Sequence, residues 1–285
     1  IMRKKITLLF LTVMISTPFF ASVSLPEKDA LIKLYIATNG SQWKNKWDLN
    51  TPVSKWYGVK LNNDKVISID LSNNNLVGEL PAELGSLVNL QKLKLTRNSI
   101  SGSIPESIGE MKFLKIMNIS FNKLTGTIPT SIGKMNDLIL LELFMNKLSG
   151  NLPSEIGNLK KLKKLSLYNN ELEGSIPFSL YEMRSLKVLL LNSNKFTGKL
   201  EKEIANLTQL EVFSLFDNNM EGQIPFDLEK LNKLKEMNIS YNLFNGPVSK
   251  NLSNLDSLNM TMINNEGLAT NLKVVDKNTA LTNEE

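Results

Sequence analysis

The sequence predicts an α/β solenoid, a stack of similar coils that carries a parallel sheet along one side and is closed at its amino-terminal end by a helical cap. Three observations predict it. One pattern recurs from Val66 to Ser257 in eight copies of 24 residues without insertion, and self-similarity at a short fixed period marks a stacked array. The copies, coils one to eight, begin at Val66, Leu90, Leu114, Leu138, Leu162, Leu186, Leu210 and Leu234. Asparagine stands at one phase of every copy (Asn74, Asn98, Asn122, Asn146, Asn170, Asn194, Asn218, Asn242), and glycine four residues later (Gly78, Gly102, Gly126, Gly150, Gly174, Gly198, Gly222, Gly246).

Each phase has a physical reason. Leu93 and Leu95 flank Lys94 with period two, which makes a short strand with its leucines inward, and strands of successive coils then pair. Where the chain leaves that sheet its backbone groups need partners inside the stack. An asparagine supplies both a donor and an acceptor, so the column forms a ladder. The glycines allow a bend that a side chain would obstruct. Pro81, Pro105, Pro129, Pro153, Pro177 and Pro225 set the return path, while Glu201 and Ser249 depart from the pattern.

The full pattern, L-x-x-L-x-L-x-x-N-x-L-x-G-x-I-P-x-x-I/L-G-x-L/M-x-x, is a leucine-rich repeat. Its G-x-I/L-P-x-x-I/L-G-x-L part resembles the plant-specific subclass found in receptor-kinase ectodomains and polygalacturonase-inhibiting proteins. The resemblance covers about two thirds of the chain. It implies a right-handed, twisted superhelix with the sheet on the concave face, a second short strand near the I-P step, and ligand binding through the sheet face. Plant relatives close both ends with cysteine pairs. This chain has no cysteine, which with its short signal points to a bacterial secreted member.

The ends read differently from the coils. Residues 1–24 are a secretory signal peptide: Arg3, Lys4 and Lys5, an apolar run from Ile6 to Ile15 too short to span a bilayer, then small residues with cleavage after Ala21 or Ser24. Residues 25–65 are the amino-terminal cap. Pro26 and the run ALIKLYIA before Asn39-Gly40 predict a helix with a glycine stop, whose Leu31, Leu34 and Tyr35 cover coil one. Trp43, Trp47 and Trp56 are expected to bury the open end of the column, a carbohydrate-stacking role being the weaker reading. Residues 258–285 hold a degenerate repeat, with Thr261 at a leucine phase and Glu266 at the ladder phase, then a carboxyl-terminal cap and tail with a strand-like run from Leu272 to Val275. No membrane insertion is expected after signal removal, and a monomer is expected.

Composition narrows the chemistry. The formal charge of +5 falls to +2 without Arg3, Lys4 and Lys5, which argues against a nucleic-acid partner. There is no histidine and no cysteine, so the commonest general base, the thiol nucleophile and the usual zinc ligands are missing. Asp70, Glu142, Asp217 and Glu236 are scattered over different coils and read as solvated surface rather than a catalytic pair. No acidic column recurs to hold calcium, and no catalytic residue, metal or cofactor is expected. Five N-x-S/T matches, at Asn118, Asn206, Asn238, Asn251 and Asn259, are chance products of an asparagine-rich repeat.

What remains is a binding surface. The two positions before each ladder asparagine are expected to face water, and their bulky members gather in coils three to five. The candidate ligand-binding residues are Arg97, Phe121, Phe144, Met145 and Tyr168, with Phe216 and Tyr241 as a second cluster nearer the carboxyl end. Large apolar groups on a rigid sheet have no core to join, whereas a partner gains anchor energy by burying them. The alternative is that neighbouring aromatics only cover one another. Phe178 and Phe226, after the I-P steps of coils five and seven, form a rival patch on the flank. The favoured partner is a protein or peptide; glycan binding as an adhesin, inhibition of a secreted polysaccharide-degrading enzyme, and a purely structural spacer are the alternatives.

Overall fold

The structure, a computed structural model, describes residues 23–256, 258, 260–264 and 266–275. The signal-peptide expectation up to Ser22 and the polar end at Asn283–Glu285 lie outside the described residues.

The cap begins before residue 25. Val23 is buried, and Ser24 is the N-cap of the helix Leu25–Ala37, accepting from the Glu27 N–H at 3.4 Å and donating to the Glu27 carboxylate at 2.9 Å. The other Glu27 oxygen accepts from the Val66 N–H at 3.2 Å and ties the helix to coil one. Cleavage after Ser24, one of the two expected sites, would remove that N-cap. The helix stop also differs from the expectation. Asn39, not Gly40, takes the left-handed conformation (φ 56°), and Gly40 is required because a Cβ there would lie 2.2 Å from the Tyr35 ring.

All three tryptophans are buried, with each indole N–H satisfied: Trp43 to Thr38 O, Trp47 to Tyr57 O, Trp56 to Asp48 O. They stack with Tyr35 into one aromatic plug, which disposes of the carbohydrate-stacking reading. The cap ends in a strand that the sequence reading did not anticipate. Val59–Asn62 pairs antiparallel with Lys65–Asp70 through Asn63 and Asp64, both at positive φ, so a tight hairpin closes the sheet's first edge.

Beyond it every strand partner in this sheet is parallel and 24 residues on, as in the register Leu93, Met117, Leu141, Leu165. Among the described residues this sheet has nine strands, in chain order from Val59–Asn62 to Glu236–Asn238. A second parallel set runs along the other side of the coils, as the five strands from Ser149–Asn151 to Leu243–Asn245 and the pair Val77–Glu79 with Ser99–Ser101. Between the sets, each proline opens a short 3-10 turn such as Glu106–Glu110.

The asparagine column works as a ladder. Asn146 accepts from the Leu124 N–H at 3.0 Å and donates to the carbonyls of Ile119 and Leu143 at 3.0 and 2.9 Å, so one side chain joins two coils. The first rung is completed by the cap, where Asn45 donates to Asn74 at 2.7 Å. In the glycine column Gly126 needs conformation rather than space, since the nearest atom to an added Cβ is 3.5 Å away but φ is +73°, whereas Gly78 needs both, a Cβ there meeting the Ala37 carbonyl oxygen at 2.0 Å. In the 3-10 turns a second glycine phase needs space, since a Cβ on Gly133 would meet the Glu155 carbonyl at 2.5 Å.

Two breaks in the pattern explain each other. Tyr181 stands at that second glycine phase in coil five and is fully buried, and its hydroxyl accepts from the Glu201 N–H at 3.4 Å. Proline at 201 would have no N–H to give. Burial pushes the Tyr181 hydroxyl up to about 12. A raised phenol stays protonated in the folded chain while the unfolded chain ionises, so its contribution is complete below pH 10 and is lost as pH rises towards 12, at up to about 1.4 kcal/mol per pH unit. Tyr181→Phe should flatten the decline of stability over that window, as read from urea midpoints at pH 9 to 12; an unchanged slope would refute this role.

The last coil is shortened. Met237 bridges to Asp256, 19 residues on rather than 24. Asp256 is buried and accepts from the Ile239 N–H, the Ser240 hydroxyl and the Leu258 N–H, sealing the sheet's far edge with a side chain. Glu266, at the ladder phase, lies instead in an exposed turn. Lys273–Val275 forms a strand beside Pro247–Ser249.

Candidate functional site

The residues before the ladder asparagines share an unusual backbone. Arg97, Phe121, Met145, Asn169, Ser193, Asp217 and Tyr241 all have φ between 52° and 58°. A left-handed non-glycine residue costs about 1–2 kcal/mol. Inter-coil hydrogen bonds such as Arg97 N–H to Ser120 O and Asn98 N–H to Phe121 O hold it in place. The turn ends the period-two alternation, so side chains of two adjacent phases meet on one face.

On that face the structure brings together four of the residues named from sequence. The Arg97 guanidinium lies 5.0 Å from the centre of the Phe121 ring. Phe121 meets Phe144 edge-on at 5.2 Å, and Phe144 stacks on Tyr168 at 4.3 Å and 13°. Met145 lies alongside, its sulfur accepting from the Asn169 amide at 2.7 Å. Only Arg97, Met145 and Tyr241 of the seven are exposed; Phe121, Phe144, Tyr168 and Phe216 are half-buried because strands about 4.8 Å apart let large rings cover one another. The expectation that these rings face water is corrected to that extent.

Beside the rings sits a polar group. Glu142, its side chain only 12% exposed, accepts from Lys164 at 2.7 Å and from the Asn118 amide at 2.5 Å. Burial, then the Glu142 charge, raises the pKa of the Tyr168 hydroxyl.

Phe216 and Tyr241 form the second cluster, ring centres 5.2 Å apart. Sequence reading missed what adjoins it, a hollow of about 420 Å³ lined by Leu190, Val212, Phe216, Glu236 and Leu255. The signal was present: strand phases that hold Lys94, Asn118 and Glu142 in earlier coils hold Leu190 in coil six. The rival patch is divided, with Phe178 exposed and packed edge-on against Tyr181 and Phe226 half-buried. Among the described residues no group of His, Cys, Asp or Glu is placed to hold a metal ion, and no helix is long and apolar enough to cross a membrane.

Comparison with known proteins gives a consistent picture. The profile for a leucine-rich repeat region matches residues 143–281, and the leucine-rich repeat profile matches residues 65–87, 89–111 and 113–135. A probable leucine-rich repeat receptor-like protein kinase of Arabidopsis thaliana is 38% identical over 80 residues, 23% of this chain and 8% of that protein. Among solved structures, the plant peptide hormone receptor RGFR1 in complex with RGF2 is 33% identical with a TM-score of 0.64, covering 72% of this chain and 32% of that one. The ectodomain of the Arabidopsis receptor kinase HAESA, in complex with an N-terminally extended IDA peptide hormone ligand, is 25% identical with a TM-score of 0.59, covering 87% of this chain and 49% of that one. This chain therefore spans at most about half of these relatives. The chain is a leucine-rich-repeat protein, similar to the ectodomains of plant receptor kinases.

Proposed function

We propose that the protein is a secreted, non-enzymatic binding module that captures a peptide or an exposed segment of a protein on its sheet face. The carrying observation is the continuous array from Arg97 through Phe121 and Phe144 to Tyr168, followed by the apolar hollow at coils six to eight. Rings held by each other and by the ladder are already ordered, so a ligand that buries their free edges loses little entropy on binding. Arg97 adds direction by pairing with an acidic group. Solved neighbours described with bound peptide hormones support the same reading.

The ring geometry favours peptide over glycan. A sugar stacks on an open ring face, whereas here Phe144 and Tyr168 face each other and Arg97 covers Phe121. Inhibition of a secreted enzyme would be one form of the same protein recognition. The test is a pull-down from extracellular and cell-surface proteins, followed by affinity measurement with the partner obtained. Phe144→Ala with Tyr168→Ala should weaken binding at least tenfold, and Phe178→Ser should leave it unchanged. Undiminished affinity of the double variant, with its circular dichroism intact, would move the site off this face.

A further inference from the structure

The net charge conceals a sorting that only the fold makes visible. The seven residues that lead into each sheet strand lie on one flank, from residues 62–68 for coil one, where they include the cap hairpin, to 230–236 for coil eight, and from coil two onward they follow a 3-10 turn. Over the eight coils these segments hold fourteen cations and six acids. The opposite flank, from residues 74–80 to 242–248, holds four of each. The 3-10 turns lean the other way, with Glu83, Glu106, Glu155 and Asp227 in their first turns. The excess is greatest in coil five, where residues 158–164 carry four lysines and no acid.

The acids on this flank, outnumbered by more than two to one, neutralise it only in part: Lys160 pairs with Glu182 at 3.3 Å and Lys161 with Asp137 at 2.6 Å. Glu110 is shared by Lys112 at 3.9 Å and Lys134 at 3.4 Å, and Glu211 by Lys187 at 2.9 Å and Lys235 at 2.8 Å. The surplus shows in the acids themselves. Lys235 and Lys187 hold the Glu211 carboxyl down to about 2, and Lys161, bonded to Asp137, lowers that carboxyl as well. In coils three to five the flank is concave, forming a hollow of about 570 Å³ lined by Lys112, Lys134, Lys160, Asn136 and Asn158 with Glu110 at its side.

We propose that this flank is a second binding site, independent of the peptide-binding face, for an acidic polysaccharide whose carboxylates pair with Lys112, Lys134 and Lys160 and whose hydroxyls bond the amides of Asn136 and Asn158. A single exposed ion pair is weak. Cations carried on successive coils of a rigid stack add several such pairs along one polymer, with the steep salt dependence of counterion release. A flat anionic bilayer matches less well, because the lysines line a hollow and the amides beside them suit hydroxyl groups.

The test is binding of alginate, with uncharged dextran and phosphatidylglycerol vesicles as comparison probes, at salt concentrations from 20 to 300 mM. Expected is alginate binding that falls steeply with salt, is not competed by dextran, and drops at least tenfold in the triple variant Lys112→Gln, Lys134→Gln, Lys160→Gln. The matched variant Lys123→Gln, Lys147→Gln, Lys199→Gln on the opposite flank should bind as the wild type does. Absence of alginate binding at 20 mM salt, equal loss in both triple variants, or vesicle binding that exceeds alginate binding and is lost in the first variant would overturn the assignment.

Discussion

Trp47→Ala is expected to be the most damaging single substitution outside the repeats, costing about 3–5 kcal/mol as removal of a large buried side chain. Trp47 is the centre of the cap's plug. It meets Trp43 edge-on at 4.9 Å and stacks on Trp56 at 4.8 Å, and its indole N–H donates to Tyr57 O at 2.8 Å. No neighbouring side chain can collapse into so large a space. In a solenoid each coil is stabilised by its neighbours, so a loosened cap exposes coil one and lets fraying spread inward. Hydrogen exchange should therefore accelerate at Ile69 and Leu71 before it does at Leu167. Tyr57→Ala removes an exposed ring next to the plug and should cost little. A loss below about 1 kcal/mol for Trp47→Ala would show that the cap is dispensable.

Asn146→Ala should cost about 1–3 kcal/mol, because it strands the buried Leu124 N–H and removes bonds to two coils at once. The Leu124 N–H loses its acceptor, while the Ile119 and Leu143 carbonyls each lose one of two amide donors and keep Asn122 and Asn170 respectively. The Leu124 N–H cannot turn to water inside the stack. Lys147→Ala, one residue on and exposed, should be nearly silent. Asn146→Asp is the sharper probe, since it keeps the acceptor for Leu124 but points an oxygen at two carbonyls, and it should be at least as harmful as alanine. Coincident urea midpoints for Asn146→Ala and Lys147→Ala would contradict this account of the column.

The parts of the fold legible in the sequence are those that repeat. Strand leucines, ladder asparagines and bend glycines recur at one phase because every coil meets the same neighbour above and below. Non-repeating parts were harder to read. The hairpin at Asn63-Asp64 carries a turn signal but lies where only a cap was sought. Tyr181 and Glu201 look like two separate lapses until the hydrogen bond between them is known. Asp256 could not be placed without knowing that the final coil is five residues short.

For the candidate site, the identity of the residues was legible and their exposure was not. Position in the repeat put Phe121, Phe144 and Tyr168 on one face, but the left-handed backbone at Phe121 decides that rings of two phases interlock. That conformation had a faint signature, since Asn73, Asn169 and Asp217 in the same column belong to types that tolerate it. The charged flank was hidden for a different reason. Counting charge along the chain averages over phases that the coil separates in space.

The central claim, that a peptide or protein segment is held on the sheet face, is tested most directly by site-specific photo-cross-linking. A benzophenone side chain placed at Met145, which is exposed beside the Phe144–Tyr168 stack, is compared with one at Phe178 on the flank. On irradiation in the extracellular fraction, a discrete adduct is expected from position 145, suppressed by excess unlabelled protein, and none from position 178. An adduct from position 178 with none from 145 would contradict the account.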